Sequence, residues 1–188
     1  MNATNEQAQD VVDVLSADHR EVEELITQII SSSDAAQRRE SADQMIAELV
    51  RHSVAEEMFV YPAMRDHLPD GEKAVEHDIE EHKQLETLMK RLEDVDAADA
   101  RFLELIGELQ KVLADHVQDE ESDQFPKLRA HLPRHELVGI AEKVTAAKKV
   151  APTRPHPSAP NSELFHKLVG PGVGLVDRLR DRLTDRSV

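Results

Sequence analysis

Two segments of the chain, RHSVAEEMFVYPAMRDHLP from Arg51 and DHVQDEESDQFPKLRAHLP from Asp115, carry the same reactive groups sixty-four positions apart. Each has a histidine, a glutamate four residues later, an aromatic-proline pair and a closing His-Leu-Pro. The spacing in His52/Glu56 and His116/Glu120 places an imidazole and a carboxylate one turn apart on the same helix face. That is the arrangement needed to share a metal ion or to pass a proton. A second repeat matches DHREVEELI from Asp18 with EHKQLETLM from Glu81, so that His19 corresponds to His82.

The phase of each residue decides whether these groups meet. His19 follows Leu15 by four and precedes Val22 by three; His82 precedes Leu85 by three and Met89 by seven. His52 and Glu56 continue the line from Ile46 and Leu49 toward Phe59, and His116 and Glu120 continue the line from Leu109, Val112 and Leu113. All six lie on the apolar stripes of their helices, where a core should form. Any one of them alone reads as a core residue with a local hydrogen-bond partner. Together, two ionised carboxylates inside an apolar bundle would cost several kcal/mol each unless protons, cations or a metal neutralised them.

Four long helices are needed to position this set. Helical periodicity predicts helix A from about Asp10 to Ile30, B from about Asp34 to Asp66, C from about Gly71 to Asp94 and D from about Asp96 to Ala130. The short connections imply antiparallel neighbours, hence an all-α, up-down-up-down four-helix bundle. RHELVGIAEKVTAAKK adds a short fifth helix, giving a bundle domain over residues 1–149. A proline-rich linker is expected at 150–161 and an amphipathic C-terminal tail at 162–188, the latter a candidate for homodimer contacts.

Composition narrows the chemistry. The chain has 188 residues, 39% hydrophobic, with no tryptophan and a single tyrosine, a mixture that favours helices. A net charge of -15 repels phosphate backbones, so nucleic acid is a poor partner. The absence of cysteine excludes thiolate metal sites, disulfides and a cysteine nucleophile. There is no run of about eighteen apolar residues and no leader pattern, so a cytoplasmic protein without membrane attachment is expected. Imidazole and carboxylate without thiolate suit iron, manganese or zinc, and two bridging-capable glutamates with four histidines fit a dinuclear site; di-iron is the expected cofactor.

At these residues the sequence resembles the hemerythrin-like, or HHE cation-binding, family over about residues 10 to 133. The resemblance is carried by His19, by His52 and Glu56 in HSVAE, by His82 in EEHKQLE, by His116 and Glu120 in HVQDE, and by the segments EEMFVYP and EESDQFP. It implies a bundle around two iron ions with an oxo or hydroxo bridge, with Glu56 and Glu120 bridging and the histidines terminal. Oxygen-carrying members have a fifth histidine one turn before His82, where this chain has Asp78. His77 is five residues from His82 and would face the site only through a π-bulge in helix C. Tyr61 lies about half a turn from His52 in an ideal helix, although Pro62 can redirect it. His77, Asp78 and Tyr61 are therefore additional candidate ligands. Glu57 and Glu121 are expected as outer or surface charges, and His67, His131, His135, His156 and His166 away from the iron.

A missing protein ligand opens an exchangeable position, which favours reaction over reversible carriage of dioxygen. The expected activity is redox chemistry on hydrogen peroxide, dioxygen or nitric oxide, most concretely a catalase-like disproportionation with Glu56 and Glu120 relaying protons. The alternative is a non-enzymatic protein for oxygen storage or for sensing iron or oxygen.

Overall fold

The computed structural model describes residues 8–157, and every regular element among them is helical. The elements are α1 (Val11–Ser31), α2 (Ala35–Ala55), α3 (Tyr61–His67), α4 (Gly71–Glu93), α5 (Ala100–Asp119), α6 (Phe125–His131) and α7 (Arg134–Lys148). Two π-helical turns, Glu56–Val60 and Glu120–Gln124, join α2 to α3 and α5 to α6 into continuous long helices. The expected helix B is thus α2 through α3, and helix D is α5 through α6.

Local chemistry sets the helix starts. Asp10 and Asp13 form a reciprocal capping box at α1, each carboxylate accepting the other's backbone N–H at 3.0 Å. Asp34 caps α2 through Ala36 N–H and Asp99 caps α5 through Arg101 N–H, both at 2.8 Å. Helix D starts at Ala100 because the Asp96–Asp99 segment closes into a turn, with Asp99 N–H on Asp96 O at 2.9 Å. Leu68 leads from α3 into a tight turn, where Gly71 N–H reaches Leu68 O. The backbones approach so closely there that a β-carbon on Gly71 would lie 2.0 Å from Met64 O.

Proline accounts for both π turns. Pro62 and Pro126 have no N–H to close the preceding α turn, and their rings crowd the carbonyls behind them. The chain widens instead, and Tyr61 N–H and Phe125 N–H bond to Glu56 O and Glu120 O, five residues back.

In the bundle α1 packs on α2 and α4 on α5, while α2 meets α4 and α1 meets α5, closing a four-helix ring. α7 covers α1, α2 and the first π turn. The apolar interior is divided. One cluster includes Ile26, Ile46, Met89, Phe102 and Ile106; the other includes Val11, Leu15, Tyr61, Met64, Phe125 and Val144. The described part of the proline-rich segment runs back along the bundle, burying Ala151 and Thr153 and placing Arg154 Nη1 3.0 Å from Glu93 Oε1. The expected C-terminal tail, and with it the homodimer contact, lies outside the described residues. No helix among the described residues is long and apolar enough to cross a membrane.

Candidate metal centre

The boundary between the two apolar clusters is a polar layer. His19 stands between Leu15 and Val22 of α1, His52 between Val50 and Ala55 of α2, and His82 between Val75 and Leu85 of α4. His116 follows Leu113 of α5, and Glu56 and Glu120 are the first residues of the π turns. All six are at most 3% exposed, and both glutamates are fully buried.

The inner distances are short and follow the repeat. Glu56 Oε2 lies 3.2 Å from His52 Nε2 and 3.4 Å from His82 Nε2. Glu120 Oε2 lies 3.1 Å from His19 Nε2 and 3.6 Å from His116 Nε2. One ligand atom from each of His52, Glu56, His116 and Glu120 falls within 4.8 Å of the others. Each glutamate thus meets the histidine of its own helix and one from the neighbouring helix.

The outer ring nitrogens are held as regularly. His19 Nδ1 faces Glu121 at 2.9 Å and His82 Nδ1 faces Glu57 at 3.1 Å. His52 Nδ1 faces Asp18 at 3.3 Å and His116 Nδ1 faces Glu81 at 3.0 Å. A carboxylate can only accept, so each Nδ1 carries the proton and each Nε2 is directed inward, the orientation that carboxylate partners impose on metal-binding histidines. Glu57 and Glu121, expected as outer charges, are two of these partners. Asp18 and Glu81, each immediately preceding a histidine in the matched repeat, are the other two, and the helix-face pattern does not mark them. Lys148 of α7 in turn holds Asp18, its Nζ 2.6 Å from Oδ1.

These inward atoms lack hydrogen bonds. His19 Nε2, His52 Nε2, His116 Nε2 and both carboxylate oxygens of Glu56 and Glu120 are buried without a hydrogen-bond partner among the described residues. Their contacts are close enough for ion pairing but poorly directed for hydrogen bonding. With only protein groups around them, burial opposes charge on His52 and His82, yet the carboxylates prevail. Glu56 and Asp18 push His52 up to about 10, and Glu56 and Glu57 push His82 up to about 10. Burial would raise Glu56, but His52 and His82 hold it well below the usual carboxylate range. His116 is raised as well, Glu120 and Glu81 outweighing its burial. The donor set and its orphaned atoms fit a cation better than they fit one another.

The additional candidates separate. The π turn takes back the rotation that would have carried Tyr61 off this face, so its ring stacks on His82 and its hydroxyl lies 3.1 Å from His82 Nε2. Burial, with Glu56 and Glu120 nearby, raises the phenol well above its ordinary value. Phe125 takes the equivalent place, stacked on His19. Asp78 is fully buried and accepts a 2.9 Å hydrogen bond from Gln124 Nε2. Its pKa rises to about 6, mainly through burial and with Glu120 adding, against the pull of Gln124. His77 is not brought in: α4 has no π turn, and the imidazole is 57% exposed, with Nε2 3.4 Å from Glu81 and 3.5 Å from Asp119.

Comparison with known proteins agrees with this architecture. Residues 10–128 match the family model described as hemerythrin HHE cation binding domain. The chain is 32% identical over 174 residues to an uncharacterised hemerythrin-like protein of Schizosaccharomyces pombe, covering 92% of this chain and 86% of that one. It is 27% identical over 145 residues to a DNA nickase of a Nostoc species, covering 77% of this chain but only 41% of that protein. The crystal structure of a hemerythrin HHE cation binding domain-containing protein from Mycobacterium kansasii superposes with a TM-score of 0.65. It is 20% identical, with 90% of this chain and 98% of that one covered, and shares the fold.

Proposed function

The chain belongs to the hemerythrin HHE cation-binding family, and from that premise we propose that it holds two iron ions and disproportionates hydrogen peroxide, with related dioxygen or nitric oxide chemistry at the same centre. The observation that carries this reading is the set of buried, hydrogen-bond-deficient atoms on His19, His52, His116, Glu56 and Glu120. Groups so costly to bury are retained where a cation uses them.

In this reading His19, His52, His82 and His116 would hold the metal through Nε2, and Glu56 and Glu120 would hold it through their carboxylates. Asp18, Glu57, Glu81 and Glu121 fix the imidazole tautomers through Nδ1–H. Tyr61 is a further oxygen donor at the edge of the layer, while Asp78 is engaged by Gln124 and stands outside the set that would hold the metal. When bound, iron supplies the electron changes and the Lewis acidity that the reaction needs. The chain's own part is to exclude bulk water with an apolar cluster on each side and to move protons on the Glu56 and Glu120 oxygens. The net charge of -15 gives no footing for carrying DNA nicking over from the Nostoc protein.

Metal analysis and an optical spectrum of natively prepared protein test the cofactor. Gas evolution from peroxide by the iron-loaded protein, lost in His52→Ala and in Glu120→Ala, tests the activity. A reversible oxygenated spectrum without turnover would instead make the protein an oxygen binder. Folded protein that takes up no metal would defeat the proposal.

A further inference from the structure

One break in the internal two-fold lies beside the polar layer. Four residues before His19 and His82 stand Leu15 and Asp78; four residues after Glu56 and Glu120 stand Val60 and Gln124. One half therefore fills these positions with hydrocarbon, and Leu15 and Val60 lie in the same apolar cluster. The other half fills them with a carboxyl and an amide joined by a hydrogen bond. Both residues are buried, Asp78 at 0% exposure and Gln124 at 4%.

That single hydrogen bond leaves two atoms unsatisfied. Asp78 Oδ2 and Gln124 Oε1 have no partner among the described residues. Both are acceptors, because Gln124 spends its amide nitrogen on Asp78 Oδ1. They sit at the edge of the centre: a ligand atom of Asp78 lies within 4.8 Å of those of His116 and Glu81, and Gln124 is one turn beyond Glu120. A pair of buried acceptors is satisfied only by a ligand that brings O–H or N–H bonds. Hydrogen peroxide and water carry O–H groups; dioxygen and nitric oxide carry none.

We propose that Asp78 and Gln124 form an acceptor pair that holds the O–H groups of a protic ligand, hydrogen peroxide foremost, beside the metal centre and so favours it over dioxygen and nitric oxide. This deepens the reading of the centre as an iron site for small oxygen species and rests on it. Polarity at these positions serves ligand selection, since the opposite half folds with leucine and valine in their place.

The test restores the internal symmetry with the double variant Asp78→Leu/Gln124→Val, alongside Gln124→Val and the conservative Asp78→Asn. Four quantities are read: iron content, KM and kcat for peroxide, nitric oxide affinity of the ferrous protein, and the melting temperature of metal-free protein. The double variant keeps its iron, raises KM by about 10- to 100-fold, the effect of losing hydrogen bonds that involve a charged acceptor, and leaves nitric oxide affinity unchanged or higher. Gln124→Val raises KM less, and Asp78→Asn, which still presents an acceptor, stays within about threefold of wild type. Metal-free double variant melts higher than wild type, because two unsatisfied polar groups are gone. An unchanged KM, an equal loss of nitric oxide affinity, a lower metal-free melting temperature or a loss of iron overturns the proposal. Iron-loaded wild type inert to peroxide would defeat the proposed activity instead, and the acceptor pair would still be judged by nitric oxide affinity and metal-free melting.

Discussion

Replacing Glu81 with alanine should weaken metal binding although Glu81 itself points away from the centre. Its Oε2 receives His116 Nδ1–H at 3.0 Å in a place only 7% exposed, so no water can take over the contact without opening the bundle. Without that acceptor the imidazole loses both its tautomer and its aim. Outer partners of this kind are worth about 10- to 100-fold in metal affinity, or about 1.4 to 2.7 kcal/mol. Glu121 provides the internal comparison. It holds His19 Nδ1 at 2.9 Å, but its side chain is 42% exposed, so water can substitute and the loss should be about fivefold or less. The measurement is a competition titration of metal-free protein with zinc against a chelator, zinc being chosen to separate binding from redox chemistry. Glu81→Gln, which retains an amide oxygen, should recover part of the loss. His77→Ala, which meets Glu81 and Asp119 from the exposed side of α4, should stay near wild type. Equal losses for Glu81→Ala and Glu121→Ala, or wild-type affinity in Glu81→Ala, would refute the reasoning.

Gly71→Ala should lower the free energy of urea unfolding by about 1 to 3 kcal/mol or more, and the midpoint with it, because the new β-carbon would lie 2.0 Å from the backbone oxygen of Met64 and α3 and α4 must separate to admit it. An unchanged midpoint would show that the turn is looser than described. Asp10→Ala should cost about 1 to 2 kcal/mol at neutral pH through loss of the α1 cap and of the pair with Arg129. Burial opposes ionisation of Asp10, but Arg129 and the Asp13 N–H prevail and hold its pKa below 3.8. A folded-state pKa below the unfolded value stabilises at pH above 3.8 and is lost as pH falls through the folded value, so the two proteins should converge in acid unfolding below about pH 4. Pro62→Ala restores an N–H that lets the π turn rewind as α-helix, turning Tyr61 by about 100° away from His82. Tyr61 is the sole tyrosine in a chain without tryptophan, so its fluorescence reports the change directly. Acrylamide quenching should rise, and quenching identical to wild type would show that proline does not set the turn.

Much of this arrangement is legible because helix phase is a local property. Asp10 and Asp34 mark the starts of α1 and α2 within a residue or two, the closing His-Leu-Pro marks the end of α3, and the six inward residues found by counting from Leu15, Leu49, Leu85 and Leu109 face one another in the structure. Phase counting fails at the π turns. Beyond Glu56 the expected line runs to Phe59, but Val60, Tyr61 and Met64 are the residues buried, a displacement of one position. The signal was the proline at Pro62 and Pro126, whose effect on the turn depends on whether the helix ends, kinks or widens. Asp18 and Glu81 are not legible in the sequence for a different reason. They lie one residue from a histidine, about 100° around their own helix, and serve histidines of the neighbouring helix, a relation no single-helix pattern contains.

The position of the polar layer explains how a fold of this size can tolerate it. Helices that cross the layer are anchored on both sides, by the cluster around Phe102 and Met89 and by the cluster around Tyr61 and Phe125. Neither cluster can shift independently, because α1, α4 and the two long helices run through both. The inner nitrogens and carboxylates are consequently held at 3.1 to 3.6 Å by packing above and below them, and not by their own hydrogen bonds. Such a frame cannot relax to satisfy the orphaned atoms by local rearrangement, so their unfavourable burial persists until a cation takes them. The two prolines place the widest turn of each long helix beside the glutamates, which lets Glu56 and Glu120 reach the axis while Tyr61 and Phe125 close over the histidines. Affinity for the cation and instability of the bare layer are then two measures of one quantity, and stabilising the metal-free chain at these positions should weaken metal binding by a corresponding factor.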